Sequence, residues 1–165
     1  MKSTEFLKNY INGNSIIEER IMLRALIDKD GNKERFDALN DIVLARGAKI
    51  RVIEISVKLN GTHLATYRGD GVVLSTPTGS TGYSLSLGGP VVSPWSKGIL
   101  LKPIGSHMSL HGGVVLDSNS QIDLMIRTEN SATLSIDGFI DIPMSDLDSV
   151  NVVISDQKVK FIRRS

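Results

Sequence analysis

The polar groups best placed to meet a ligand are concentrated in residues 67–89, YRGDGVVLSTPTGSTGYSLSLGG. Asp70 stands between two glycines; after a β-branched run, Pro77, Thr78, Gly79, Ser80, Thr81 and Gly82 turn the chain ahead of a helix start near Tyr83. Turns of this composition present backbone N–H groups and hydroxyls to a polar ligand. The same residues also read as two tight turns flanking a buried strand, and for a short Gly-rich loop that reading prevails. The length of this run favours the ligand.

The run 69–90 resembles the nucleotide-substrate site of the NAD kinase family, whose members carry a GDG turn, a strand and then TPTGSTAYSLSxGGP; Gly82 stands where Ala is usual. A second element of that family, an Asn-acidic pair after a strand, matches Asn40-Asp41 in ALNDIVLARG, with Asp41 where many members have Glu. A third, a late SIDG turn, matches residues 135–138. All three come in family order, so the resemblance covers nearly the whole chain.

The resemblance implies roles residue by residue. Asn40 and Asp41 would hydrogen-bond a ribose and the adenine side of NAD, orienting the 2′-hydroxyl that receives a phosphoryl group; an ionised carboxylate suits hydroxyl donors because it only accepts. Asp70 would contact the nicotinamide end, reaching the site of a neighbouring subunit. Arg51 and Arg68 would line the same site, Thr78, Thr81, Gly82, Tyr83, Ser84 and Ser86 would form its densest cluster, and Asp137 would lie at or beside a ligand contact. NAD is then the substrate, with ATP or polyphosphate and a divalent metal ion completing the reaction in a homodimer or homotetramer. The family's catalytic Asp sits in an amino-terminal GGDG motif that this sequence lacks. No catalytic residue and no metal ligand are therefore assigned here, and the chain is expected to be the carboxy-terminal NAD-binding and oligomerisation domain, inactive as a kinase by itself. A non-catalytic dinucleotide-binding or oligomerisation module is the competing reading. A lipid or sphingoid kinase domain is disfavoured by the closeness of TPTGSTGYSLSLGGP to the NAD branch.

Each residue also has an ordinary structural explanation. Asn40-Asp41 can be a strand-end turn, Asp70 a turn acid, and Arg51 and Arg68 solvated strand charges. Ser80 or Thr81 can cap a helix through Leu85, Tyr83 can be core, and Asp137-Gly138 is a complete hairpin signal. Other chemistry is absent from the motifs. His107 and His111 have HExxH spacing, but Met108 replaces the Glu and Gly112-Gly113 follow, so these and His63 read as structural rather than zinc ligands. There is no GxSxG elbow and no GxxxxGK[ST] loop.

Positioning these residues falls to a β-rich scaffold. Residues 4–12 have helical spacing, with Gly13 as a stop. Segments 20–28 and 34–44 flank Asp30-Gly31, and 51–59 and 62–68 flank Asn60-Gly61, the dipeptides of tight hairpins. Further short strands are read at 121–128, 132–136, 139–142, 150–154 and 158–163, and Trp95 with Pro94 and Ser96 closes a loop at the domain edge. The expected fold is mainly β: an antiparallel β-sandwich-like domain of many short strands with one or two short helices. At 165 residues and 41% hydrophobic composition, residues 1–165 suit a single domain. Nineteen basic against eighteen acidic residues give a formal charge of +1, which argues for neither nucleic acid nor membrane as a partner. No cysteine is present and no apolar run approaches the ~20 residues that span a bilayer, so a cytoplasmic protein is expected.

Overall fold

The computed structural model describes residues 3–29, 31–49, 51–106 and 112–164. His107 and His111 lie outside them, as does Asp30 of the expected Asp30-Gly31 turn. Helix α1 (Ser3–Ile11) ends at Gly13, whose φ of 74° lets the chain leave the helix. Strands then follow: β1 (Ser15–Lys29), β2 (Asn32–Ala38), β3 (Asp41–Arg46), β4 (Ile53–Leu59), β5 (Thr62–Gly69) and β6 (Gly71–Ser75). A 3-10 turn (Gly79–Thr81) and the one-turn helix α2 (Tyr83–Ser86) precede β7 (Ile99–Ile104), β8 (Val114–Leu116), β9 (Ile122–Arg127), β10 (Ala132–Ile136), β11 (Ile140–Met144) and β12 (Ser149–Arg164).

The strands form two six-stranded antiparallel sheets, β2-β1-β12-β9-β4-β5 and β11-β10-β3-β6-β7-β8. The β-rich sandwich expected from the sequence is what forms. Its core lies between the sheets, where Leu23, Ile55 and Leu124 of the first meet Ile42, Leu74 and Leu134 of the second. Period-two patterning supplies these residues: in β4, Ile53, Ile55 and Val57 are buried while Glu54 and Ser56 are partly exposed. The β4–β5 hairpin turns on Asn60 and Gly61 with φ of 51° and 80°, both positive as a tight two-residue hairpin requires.

Three expected strands come out differently. Segment 34–44 is broken at Leu39-Asn40, because β2 belongs to the first sheet and β3 to the second. Segments 150–154 and 158–163 are one strand, β12, held along β1 from Ser15↔Arg164 to Ile27↔Val150. Between the two segments Asp156 is tied in sideways: Arg24 pairs with it at 2.6 Å and with Asp37 at 2.8 Å. At the far end of this ribbon Glu18 contacts Arg20 and accepts from Arg163 at 2.8 Å, and the Arg20 guanidinium lies 5.9 Å from the centroids of the Trp95 and Phe161 rings. Trp95 is thus an exposed loop residue stacked on a buried cation.

Candidate functional site

The crossing from β2 to β3 puts Leu39 and Asn40 at one end of the sandwich, where strand hydrogen bonding stops. Their carbonyls are captured by the residues that follow β6. The Thr76 hydroxyl donates to Leu39 O at 2.6 Å, Thr76 N to Asn40 O at 2.9 Å and the Ser75 hydroxyl to Asn40 O at 3.2 Å. Thr76 also organises the next turn, its hydroxyl accepting from Gly79 N at 3.0 Å and its carbonyl from Ser80 N at 2.9 Å. The buried Ser80 hydroxyl then donates to Pro77 O at 2.7 Å and accepts from Val92 N at 3.0 Å. The TPTGST turn is therefore seated directly on Asn40, and the buried hydroxyls of Thr76 and Ser80 are spent on building it.

The residues beyond that seat face outward. Thr81, Gly82 and Tyr83 are exposed, with Tyr83 at 46%, so the choice between core and surface for this tyrosine falls to surface. Thr78 is half-buried, and the exposed Ser86 donates to Tyr83 O at 2.7 Å. Ser84 departs from the cluster. It is fully buried, with a hydroxyl that has no hydrogen-bond partner among the described residues, so it lies beneath the surface rather than on it. Neither end position of the two short helices, Thr78 or Gly82, makes a side-chain cap, and the expected capping by Ser80 or Thr81 is not seen; their hydroxyls donate to Pro77 O and Thr78 O instead.

Asp41 opens β3 opposite Ser75, and only 8% of it is exposed. Burial, and secondarily the negative charge of Asp137, push its carboxyl up to about 6. Asp137 and Gly138 form the β10–β11 turn with φ of 51° and 69°, so the hairpin read from the sequence is present. The turn also reaches the crossing, through Asp137 N–H to Asp41 O at 3.0 Å. Asn40, Asp41, residues 76–83 and Asp137 thus converge on one end of the sandwich.

Asp70, Arg68 and Arg51 are elsewhere. β3 places Asp41 and Arg46 at its opposite ends, roughly 17 Å apart for six residues of strand, and Asp70 is at the Arg46 end. Arg46 Nε donates to Asp70 Oδ1 at 2.6 Å, and Arg46 N to Asp70 O at 2.9 Å. The exposed Arg51 and Arg68 line a cleft of about 440 Å³ with Arg127 and Glu54. Gly69-Asp70-Gly71 is not the tight turn read from the sequence. It is the crossing from β5 to β6, and the glycines serve close packing: a Cβ on Gly69 would lie 2.7 Å from Ile104 O and one on Gly71 2.4 Å from Leu44 O. Arg46→Ala is expected to lower stability by no more than about 1 kcal/mol, because the paired side chains are 26% and 46% exposed. Urea unfolding checks this, and a loss of several kcal/mol would show the pair to be a structural keystone.

Among the described residues no three His, Cys, Asp or Glu side chains stand close enough to hold a metal ion, and His63 contacts Thr66 at an exposed site. No helix among these residues is long and apolar enough to cross a membrane.

Residues that sequence reasoning did not assign to the site are Thr76, Ser80 and Gly79. Their signal was present in the motif itself, since a β-strand followed by small hydroxyl residues and glycine must put its hydroxyls somewhere.

Residues 39–164 match the family model described as the ATP-NAD kinase C-terminal domain. An NAD kinase of Dehalococcoides mccartyi is 43% identical over 159 residues, and one of Natranaerobius thermophilus 36% identical over 160. These alignments cover 95% and 96% of the chain but only 56% of each relative, so the chain spans little more than half their length. Among solved structures, yeast NADH kinase complexed with NADH superposes with a TM-score of 0.88 at 31% identity, covering 98% of this chain and 48% of that one. An NAD kinase from Archaeoglobus fulgidus in complex with ATP gives 0.80 at 22% identity, a likeness of fold. With the Asn-acidic pair, the TPTGST seat and the SIDG turn meeting at one end of the sandwich inside the matched region, the chain belongs to the NAD kinase family as a carboxy-terminal domain.

Proposed function

We propose that residues 1–165 form the NAD-binding and oligomerisation domain of an NAD kinase, holding NAD so that the 2′-hydroxyl of its adenosine ribose can receive a phosphoryl group. The observation that carries this reading is a carboxylate, Asp41, kept buried with an exposed threonine-glycine-tyrosine shelf built against its neighbour Asn40. Asp41 and Asn40 accept from ribose hydroxyls and face the adenine side. Thr78, Thr81, Gly82 and Tyr83 offer backbone and side-chain contacts, with the Tyr83 ring available for packing against a base. Phosphoryl transfer depends on positioning and on neutralising charge, and this domain contributes the first of these. ATP or polyphosphate, the divalent metal ion and the GGDG aspartate belong to the remainder of the complete enzyme, so the chain alone forms no NADP.

The separation of Asp70, Arg51 and Arg68 from Asn40 along β3 supports assembly. In a homodimer or homotetramer the Asp70 end of one copy meets the Asn40 end of another and completes the dinucleotide site, in a cytoplasmic enzyme. A second reading, a dinucleotide-binding or oligomerisation module without turnover, differs in one outcome: adding a GGDG-bearing amino-terminal domain in trans restores NADP formation only for a split kinase. The primary test is calorimetric titration of the chain with NAD beside an Asn40→Ala, Asp41→Ala variant. Saturable binding lost in the variant supports the assignment. A folded chain that takes up no NAD overturns a preformed site.

A further inference from the structure

From the sequence, Asp137 reads as a ligand contact, but its carboxylate is already engaged. Oδ2 accepts from Leu39 N at 2.7 Å, and Oδ1 accepts from Asn40 N at 2.7 Å and from Asp41 N at 3.0 Å. Its own N–H returns a bond to Asp41 O at 3.0 Å. The three donors lie where β2 has ended at Ala38 and β3 is only beginning at Asp41, so the ladder leaves them short of partners. Asp137 thus holds the N–H groups of the crossing from one side while Ser75 and Thr76 hold its carbonyls from the other.

Resting on the NAD-binding reading above, we propose that Asp137 is a positioning residue. Its carboxylate is spent on the backbone of residues 39–41, fixing the direction in which the Asn40 and Asp41 side chains leave that backbone, and it does not accept from the dinucleotide. Hydrogen bonds to a charged acceptor are the strong kind, and three of them on consecutive amides over-determine the local conformation. The same placement sets a negative charge beside Asp41, an electrostatic burden that a ligand-contacting Asp137 would ease on binding and a clamping one does not.

Asp137→Asn tests the assignment, because the amide keeps the shape, loses the charge and turns an NH₂ toward donors. In the chain without ligand, amide exchange at Leu39, Asn40 and Asp41 is expected to accelerate by about tenfold or more, while core amides such as Leu44 and Leu134 are unaffected. NAD affinity should fall by about tenfold or more. Unchanged exchange at the three amides, or NAD affinity within about twofold of wild type in a folded variant, overturns the proposal. Should the variant fail to fold, scalar couplings across the hydrogen bonds from the Leu39 and Asn40 amide nitrogens to the Asp137 carboxyl carbon decide in the wild type; their absence overturns it. A wild-type chain that binds no NAD removes the functional reading, and the amide measurements still decide the clamp.

Discussion

Asp41→Asn is expected to make the protein more stable at pH 7.5, by on the order of 3 kcal/mol, and to remove dinucleotide binding. The stability follows from the carboxyl's rise from 3.8 to about 6, caused first by burial and then by the Asp137 charge. An acid whose folded value is raised is protonated more readily in the folded chain than in the unfolded one. Its contribution is absent below about pH 4, turns unfavourable as pH rises from there to about 6, and is fully unfavourable above. The neutral amide has no such dependence. Urea unfolding of both proteins from pH 3.5 to 8 should therefore show a difference that grows across this interval and is flat on either side. Parallel curves would mean that Asp41 is solvated and ordinary.

A carboxylate held against the fold in this way is an argument for function, because a buried acid that only cost stability has an isosteric amide as a ready replacement. On the proposed reading ribose hydroxyls would supply the donors that its burial withholds, so binding is expected to favour the ionised form and to weaken as pH falls through about 6. The variant retains the shape but not the acceptor charge, and calorimetry with NAD reads the loss directly. Greater stability and lost binding from one substitution would set this residue apart from any core position.

The features that sequence reasoning found are those with local causes. Asn60-Gly61 announces its hairpin because two consecutive positive φ angles suit few other dipeptides, and alternation in 53–59 announces a half-buried strand. Asp137-Gly138 is found for the same reason. What escaped depends on partners distant in sequence. The break at Leu39-Asn40, signalled within 34–44 only by the reading of Asn40-Asp41 as a strand-end turn, exists because Thr76 and Asp137 satisfy that backbone from 37 and 98 residues away. Gly69 and Gly71 look like turn glycines because glycine is permissive in turns, yet their φ angles are not positive and their reason is a neighbouring carbonyl. Ser84 matches the motif and is buried, and Asp70 matches it and stands at the other end of the sandwich from Asn40. A motif lists neighbours in sequence; only the sheet order separates those that share an end.

Gly79→Ala should be the most damaging small substitution in the TPTGST turn. An alanine Cβ at this position would lie 2.1 Å from Asn40 O, 2.5 Å from Asn40 C and 2.7 Å from Asn40 Cα, all backbone atoms. Asn40 has little freedom to retreat, since its carbonyl accepts from Thr76 N and the Ser75 hydroxyl while its N–H is bonded to Asp137. Gly79 has little either, because its N–H is bonded to the Thr76 hydroxyl. One methyl group must therefore lift the turn off the crossing, and we expect a loss of roughly 3 kcal/mol in urea unfolding together with loss of NAD binding. Gly82→Ala is the matched control three residues on. There the added methyl meets only Gly79 O, at 3.3 Å, and stability should fall by clearly less than at Gly79. If both variants unfold alike, the turn is not seated on Asn40, and the shelf formed by Thr81, Gly82 and Tyr83 is not coupled to the acidic pair beneath it.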